Sequence, residues 1–100
     1  MQSIKNTGEL AGIYSALGDA SRLGIVIYLL EKEANVSQIA NYVNLSQPLV
    51  SHHLRLLKDL RILKSRKKGQ CVYYSLNDDH IKEIVEIGII HVAHGGSNVR

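Results

Sequence analysis

Asp78, His80, His91 and His94 place one carboxylate and three imidazoles near the end of a 100-residue chain with five histidines. The pattern is Asp-x-His, then ten residues, then His-x-x-His. Oxygen and nitrogen donors without sulfur suit a closed tetrahedral Zn(II) site, with Co(II) as its mimic. On a helix His91 and His94 share a face, being three positions apart. His80 lies on that face too, because eleven steps of 100° return to within about 20°. A rise of 1.5 Å per residue nevertheless sets His80 and His91 ~16 Å apart. Zinc–nitrogen bonds of about 2.0–2.1 Å cannot span that distance. Two such helices packed antiparallel remove the conflict: Asp78 and His80 of one copy meet His91 and His94 of the other. The spacing therefore predicts a homodimer with two equivalent sites, a twofold axis near residue 86, and Gly88 allowing close approach. Ile81, Ile84, Val85, Ile89 and Val92 are expected to fill the seam. The plain alternative is a surface helix whose histidines bind nothing.

A second constellation lies between residues 47 and 68. At 100° per residue, Val50, Leu54 and Leu57 share one direction, with Leu49, Leu56 and Leu60 beside them. Gln47, Ser51, Arg55 and Lys58 form an opposite stripe, with His52 at its edge. Gln and Ser hydrogen-bond base edges in a major groove, and Arg and Lys hold phosphates. His53 points between Leu49 and Leu60 and reads as a packing histidine. Arg66, Lys67 and Lys68 follow at the tip of an expected hairpin. Net charge is −1 over residues 1–54, +6 over 55–77 and −2 over 78–100. A basic block inside a modestly charged chain fits a polyanion, here double-stranded DNA. The alternative is a solvated face.

The elements that position these groups follow from periodicity and caps. A first helix is predicted over 8–17, with Leu10, Ile13, Tyr14 and Leu17 on one face, and a second over 20–32 behind an Asp19 cap. Leu23, Val26, Ile27 and Leu30 form the apolar face of the second. Ser37 is expected to cap a short helix through Tyr42. Val43-Asn44-Leu45 makes a turn, and Ser46 caps a helix over 47–60 with Pro48 in its first turn. Strands are predicted at 62–66 and 70–76 around a Lys67-Lys68-Gly69 turn. Asn77 or Asp78 then starts a last helix that stops at Gly95-Gly96. The fold class is mainly α with a β-hairpin wing: a winged helix-turn-helix, dimeric through its first and last helices.

One hundred residues fit a single domain, 1–100. Apolar residues make up 45% of the chain, too many for a disordered segment. No apolar run reaches the roughly 20 residues of a membrane span, and the first residues lack a signal-peptide layout. Cys71, the single cysteine, can form neither an internal disulfide nor a thiolate cage. A cytoplasmic protein with no membrane partner and no small-molecule substrate is expected. Four protein ligands would leave a metal no open position, and no nucleophile motif accompanies them, so a hydrolase is excluded.

Three blocks carry a resemblance. Leu17-Gly18-Asp19-Ala20-Ser21-Arg22-Leu23, the stretch Leu45 to Leu57, and Gly69-Gln70-Cys71-Val72-Tyr73-Tyr74-Ser75-Leu76 resemble the ArsR/SmtB family of bacterial metal-sensing repressors over about residues 10–94. Asp78, His80, His91 and His94 resemble the last-helix site of its zinc/cobalt branch. The resemblance implies an apo dimer that holds an operator and releases it on Zn(II), so that metal-efflux genes are expressed. Asn35-Val36-Ser37 stands where the thiolate sensors carry Cys-x-Cys, and Pro48 where relatives often carry a small polar residue. We expect His91 or His94 to donate its second ring N–H to a backbone carbonyl near Arg61, linking metal to recognition helix. The alternatives are a nickel or cobalt sensor, a redox inducer acting at Cys71, and a winged helix that binds protein instead of DNA.

Overall fold

Five helices and a hairpin follow one another in the computed structural model, which describes residues 6–96. They are α1 (Thr7–Leu17), α2 (Ala20–Tyr28), α3 (Val36–Val43), α4 (Gln47–Asp59), β1 (Leu63–Lys68), β2 (Cys71–Leu76) and α5 (Asp79–Gly96). The core sits where α2, α3 and α4 meet the base of the hairpin: Ile25, Val26, Leu29, Ile39, Val50, Leu54, Leu57, Ile62 and Leu63 are all sealed from water. Ile81 and Val85 lock the first half of α5 onto it. Among the described residues no single helix is long and apolar enough to cross a membrane.

The joint between α1 and α2 explains the Gly-Asp-x-x-Arg block. Asp19 caps α2 by accepting from the Arg22 N–H at 3.0 Å. The Arg22 guanidinium turns back and donates Nε–H to the Ala16 carbonyl at 3.0 Å, satisfying the end of α1. The Arg22 amide, then the Arg22 charge, holds the Asp19 carboxyl below its ordinary value.

Several boundaries differ from expectation. Helix α2 ends at Tyr28, not residue 32; Leu29 and Leu30 tighten its last turn with bonds to Val26 and Ile27. The chain must leave the helix there so that Ala34 can pair with Tyr74. Asn35, not Ser37, caps α3. Its side chain accepts from the Gln38 N–H and Gln38 reaches back to the Asn35 N–H, both at 2.9 Å, a reciprocal capping box. Asn44, in the left-handed region at φ 59°, closes α3 and turns the chain into α4, which Ser46 caps.

The first strand runs further than expected and the turn lies further on. Leu63 pairs with Leu76 and Lys68 with Cys71, leaving a two-residue loop, Gly69-Gln70. Gly69 takes φ +62°, which the absence of a Cβ permits. Lys67 and Lys68 therefore belong to β1, and Arg66 lies mid-strand opposite Tyr73 rather than at the tip. Helix α5 continues through Gly96, the last described residue, so Gly95 and Gly96 extend the helix where they were expected to stop it.

Candidate nucleic-acid interface and metal site

Helix α4 buries Val50, His53, Leu54 and Leu57. Gln47, Ser51, His52, Arg55 and Lys58 are exposed. Leu49 and Leu56, expected in the buried sector, are 41% and 36% exposed. They lie about 100–120° round the helix from Val50, at the flank of its buried arc. His53 takes the place between. It is 9% exposed, and its buried Nδ1 has no hydrogen-bond partner among the described residues. Burial, then the Arg22 charge, pushes its pKa down, so the ring packs as a neutral side chain.

The wing residues Arg66, Lys67 and Lys68 are exposed but not equivalent. Strand alternation puts Arg66 and Lys68 on one face and Lys67 on the other. The Arg66 guanidinium is engaged with the Glu33 carboxylate and lies over the Tyr73 ring at 5.8 Å. Cys71 is exposed where β2 begins.

The four candidate ligands divide into two groups along α5. Asp78 caps the helix: Oδ1 accepts from the N–H of His80 at 3.0 Å and of Ile81 at 3.2 Å, and Oδ2 from Asn77 Nδ2 at 3.0 Å. The Asn77 amide, together with the backbone donors and His80, holds its carboxyl below the ordinary range. The carboxylate is thus charged and oriented, with His80 Nδ1 3.6 Å from Oδ1. This donor pair fits Zn(II) or Co(II). His91 and His94 are exposed in the second half of the helix. Among the described residues no three His, Cys, Asp or Glu side chains gather at one point of this single chain.

The apolar surface of α5 also departs from expectation. Ile81 and Val85, assigned to a dimer seam, are 5% exposed and belong to the core of their own protomer. Ile87, Ile89, Ile90 and Val92 remain 66%, 42%, 55% and 68% exposed. Ile87 shares the histidine face, and a Cβ built on Gly88 meets nothing within 4 Å. An apolar groove of about 630 Å³ runs between α5 and the α1–α2 joint, lined by Tyr14, Leu23, Ile27, Gly88 and Ile89 among others.

Sequence reasoning missed two connections. Arg61, in the left-handed region at φ 61°, lines the same cavity as Asp78 and His80. A backbone route joins α4 to the start of α5: Ile62 N–H donates to Leu57 C=O and Asn77 N–H to Ile62 C=O, each at 2.9 Å. Asn77 then reaches Asp78 through its side chain. Such bonds cross three elements and leave no periodic trace.

The profile of the family described as "Bacterial regulatory protein, arsR family" matches residues 19–65. The chain is similar to the cadmium resistance transcriptional regulatory protein CadC homolog of Staphylococcus aureus, 46% identical over 88 residues. That match covers 87% of this chain and 73% of the relative. The SmtB homolog of Synechocystis, a transcriptional repressor, is 37% identical over 84 residues, covering 84% of this chain and 64% of the relative. Among solved structures, reduced HlyU from Vibrio cholerae superposes with a TM-score of 0.79 at 29% identity, covering 90% and 93% of the two chains. The homodimeric winged helix-turn-helix domain of Mb0332 from Mycobacterium bovis reaches 0.90 at 19% identity, over 99% and 92%, which shows the fold.

Proposed function

Because the chain belongs to the arsR family of bacterial regulatory proteins and not to an enzyme family, we propose that it is a cytoplasmic metal-responsive transcriptional repressor. Its apo dimer binds an inverted-repeat operator, and Zn(II) lowers its affinity for DNA. The observation that carries this reading is α5, whose exposed isoleucines and ligand groups are both incomplete in one copy.

Two α5 helices packed antiparallel cover Ile87 and Ile90, each side chain worth about 1.5–3 kcal/mol when fully buried. The same packing brings Asp78 and His80 of one copy to His91 and His94 of the second. These four residues would hold Zn(II), with Co(II) as a substitute, and the bound ion would fix the two last helices in one arrangement. Asp78 is already charged and aimed by Asn77 and two backbone N–H groups. The cavity shared by Arg61, Asp78 and His80 favours a relay in which His91 or His94 donates to a carbonyl beside Arg61. The bonds from Leu57 through Ile62 to Asn77 supply a second route within one copy. On DNA, Gln47 and Ser51 face base edges, and Arg55, Lys67 and Lys68 face phosphates. Operator half-sites about one turn, ~34 Å, apart demand one spacing of the two recognition helices. Metal and operator then oppose each other with a reciprocal coupling of about 1–3 kcal/mol.

The test is fluorescence anisotropy on an inverted-repeat duplex from upstream of the protein's own gene, with Zn(II) added and then chelated. Release by Zn(II), rebinding on chelation and loss of both in H91A/H94A are expected. Tight binding that ignores Zn(II) and Co(II) would remove the metal switch and leave the DNA module standing. Replacing the relay histidine by aspartate should keep metal binding and abolish release; intact release would end the relay.

A further inference from the structure

Glu33 lies in the connection between α2 and α3, remote in sequence from the wing it touches. Its neighbour Ala34 is buried and bridges Tyr74 of β2. The Ala34 N–H donates to the Tyr74 carbonyl at 3.0 Å, and the Tyr74 N–H to the Ala34 carbonyl at 2.8 Å. From that anchored backbone the Glu33 carboxylate receives the Arg66 guanidinium twice, Nε to Oε2 at 2.8 Å and Nη2 to Oε1. Two parallel bonds give the fork geometry that lysine cannot reproduce. Arg66 also lies over Tyr73, its partner across the hairpin. The hairpin is therefore joined to the helical body twice at mid-length, by a backbone bridge on β2 and an ion pair on β1. Lys67, Lys68 and the Gly69-Gln70 loop project beyond this joint. Donation by Arg66 and the charge of Lys68 hold the Glu33 carboxyl below its ordinary value, so Glu33 is ionised and cancels the Arg66 charge. A cancelled guanidinium offers a phosphate little net attraction.

We propose that Glu33 and Arg66 form a clasp that sets the angle of the wing on DNA, while Lys67 and Lys68 supply the wing's phosphate contacts. Both clasp members are positioning residues. The inference rests on the DNA-binding reading above and narrows it, since Arg66 leaves the set of direct contacts.

Anisotropy titrations of the full chain across a KCl series separate these roles. E33Q/R66Q removes the clasp without changing net charge. It should weaken operator binding about fivefold, two surface pairs being lost per dimer, with the salt slope unchanged. R66E alone should bind more weakly still, and the swap E33R/R66E should return to within about twofold of the parent because the fork is rebuilt with its charges exchanged. K67Q should lower the slope by about 1.8, two copies at ~0.9 each. A similar loss of slope in E33Q/R66Q, without recovery by the swap, would make Arg66 a phosphate contact and overturn the clasp. Binding of E33Q/R66Q equal to the parent would overturn it as well. An unchanged slope in both K67Q and K67Q/K68Q would take the wing off the DNA altogether, a failure of the underlying reading rather than of the clasp alone.

Discussion

Helix α4 buries four side chains in its own protomer and leaves a polar stripe in water. Helix α5 buries Ile81 and Val85 and leaves four large aliphatic side chains there. Both are amphipathic, but α4 is complete within one chain and α5 is not. Helix α4 is held by contacts to α3 and the hairpin base, so its exposed groups keep their geometry whatever the oligomeric state. The candidate ligand groups of α5 are split between its two halves, and in the proposed dimer a second copy would unite them. An exposed apolar run beside split ligands is thus evidence about assembly, whereas an exposed polar run beside a complete core is evidence about a ligand that arrives from outside.

The largest effect that would break this comparison is expected from I87E/I90E. Charges on the exposed face of α5 should dissociate the dimer in sedimentation velocity and weaken operator binding about 100-fold or more, because two half-sites are no longer bound together. Retained dimerisation would place the interface elsewhere. A smaller effect sharpens the reading of α4. R55A should weaken specific and non-specific duplexes alike and lower the salt slope by about 1.8 per dimer, whereas Q47A should cost about 1–3 kcal/mol on the operator only. Equal losses on both duplexes for Q47A would remove its base-reading role.

The smallest effect concerns the interior beneath α4. His53 is held neutral by burial, next to Arg22 and His52, against the opposing pull of Asp19. Its folded pKa lies below the ordinary value near 6.5, so the unfolded chain takes up the proton first. Its contribution is fully present above about pH 6.5 and is lost as pH falls below it. Urea unfolding of H53Q between pH 7.5 and 5 should show a shallower loss of stability than the parent. Parallel curves would show that His53 titrates alike in both states.

Local chemistry made much of this protein legible without coordinates. Asp19 and Ser46 cap because their side-chain oxygens reach a backbone N–H three residues on. The stripe Gln47, Ser51, Arg55 is periodic, and the Asp78–His94 spacing excludes one ion within one helix. Apart from the local Asn35 cap, departures arose where a distant partner overrode a local preference. Asn35 displaced Ser37 as a cap because Gln38 could answer it. The β-bridge of Ala34 to Tyr74 cut α2 short. Arg66 left the wing tip because strand register moved the turn to Gly69-Gln70 and Glu33 met it halfway along β1.

What the sequence by itself determined is the kind of surface: helices with one apolar face, a polar stripe, a basic block, and an Asp-His spacing too long for one ion on one helix. Each follows from residue type and periodicity within a few turns of chain. Which side chains those surfaces keep was decided by tertiary structure alone. The core claimed Ile81 and Val85 from the expected seam, and Glu33 engages Arg66 halfway along β1 instead of leaving it at the expected wing tip. Both outcomes depend on which groups lie close in space across long sequence separations, and neither periodicity nor composition carries that information.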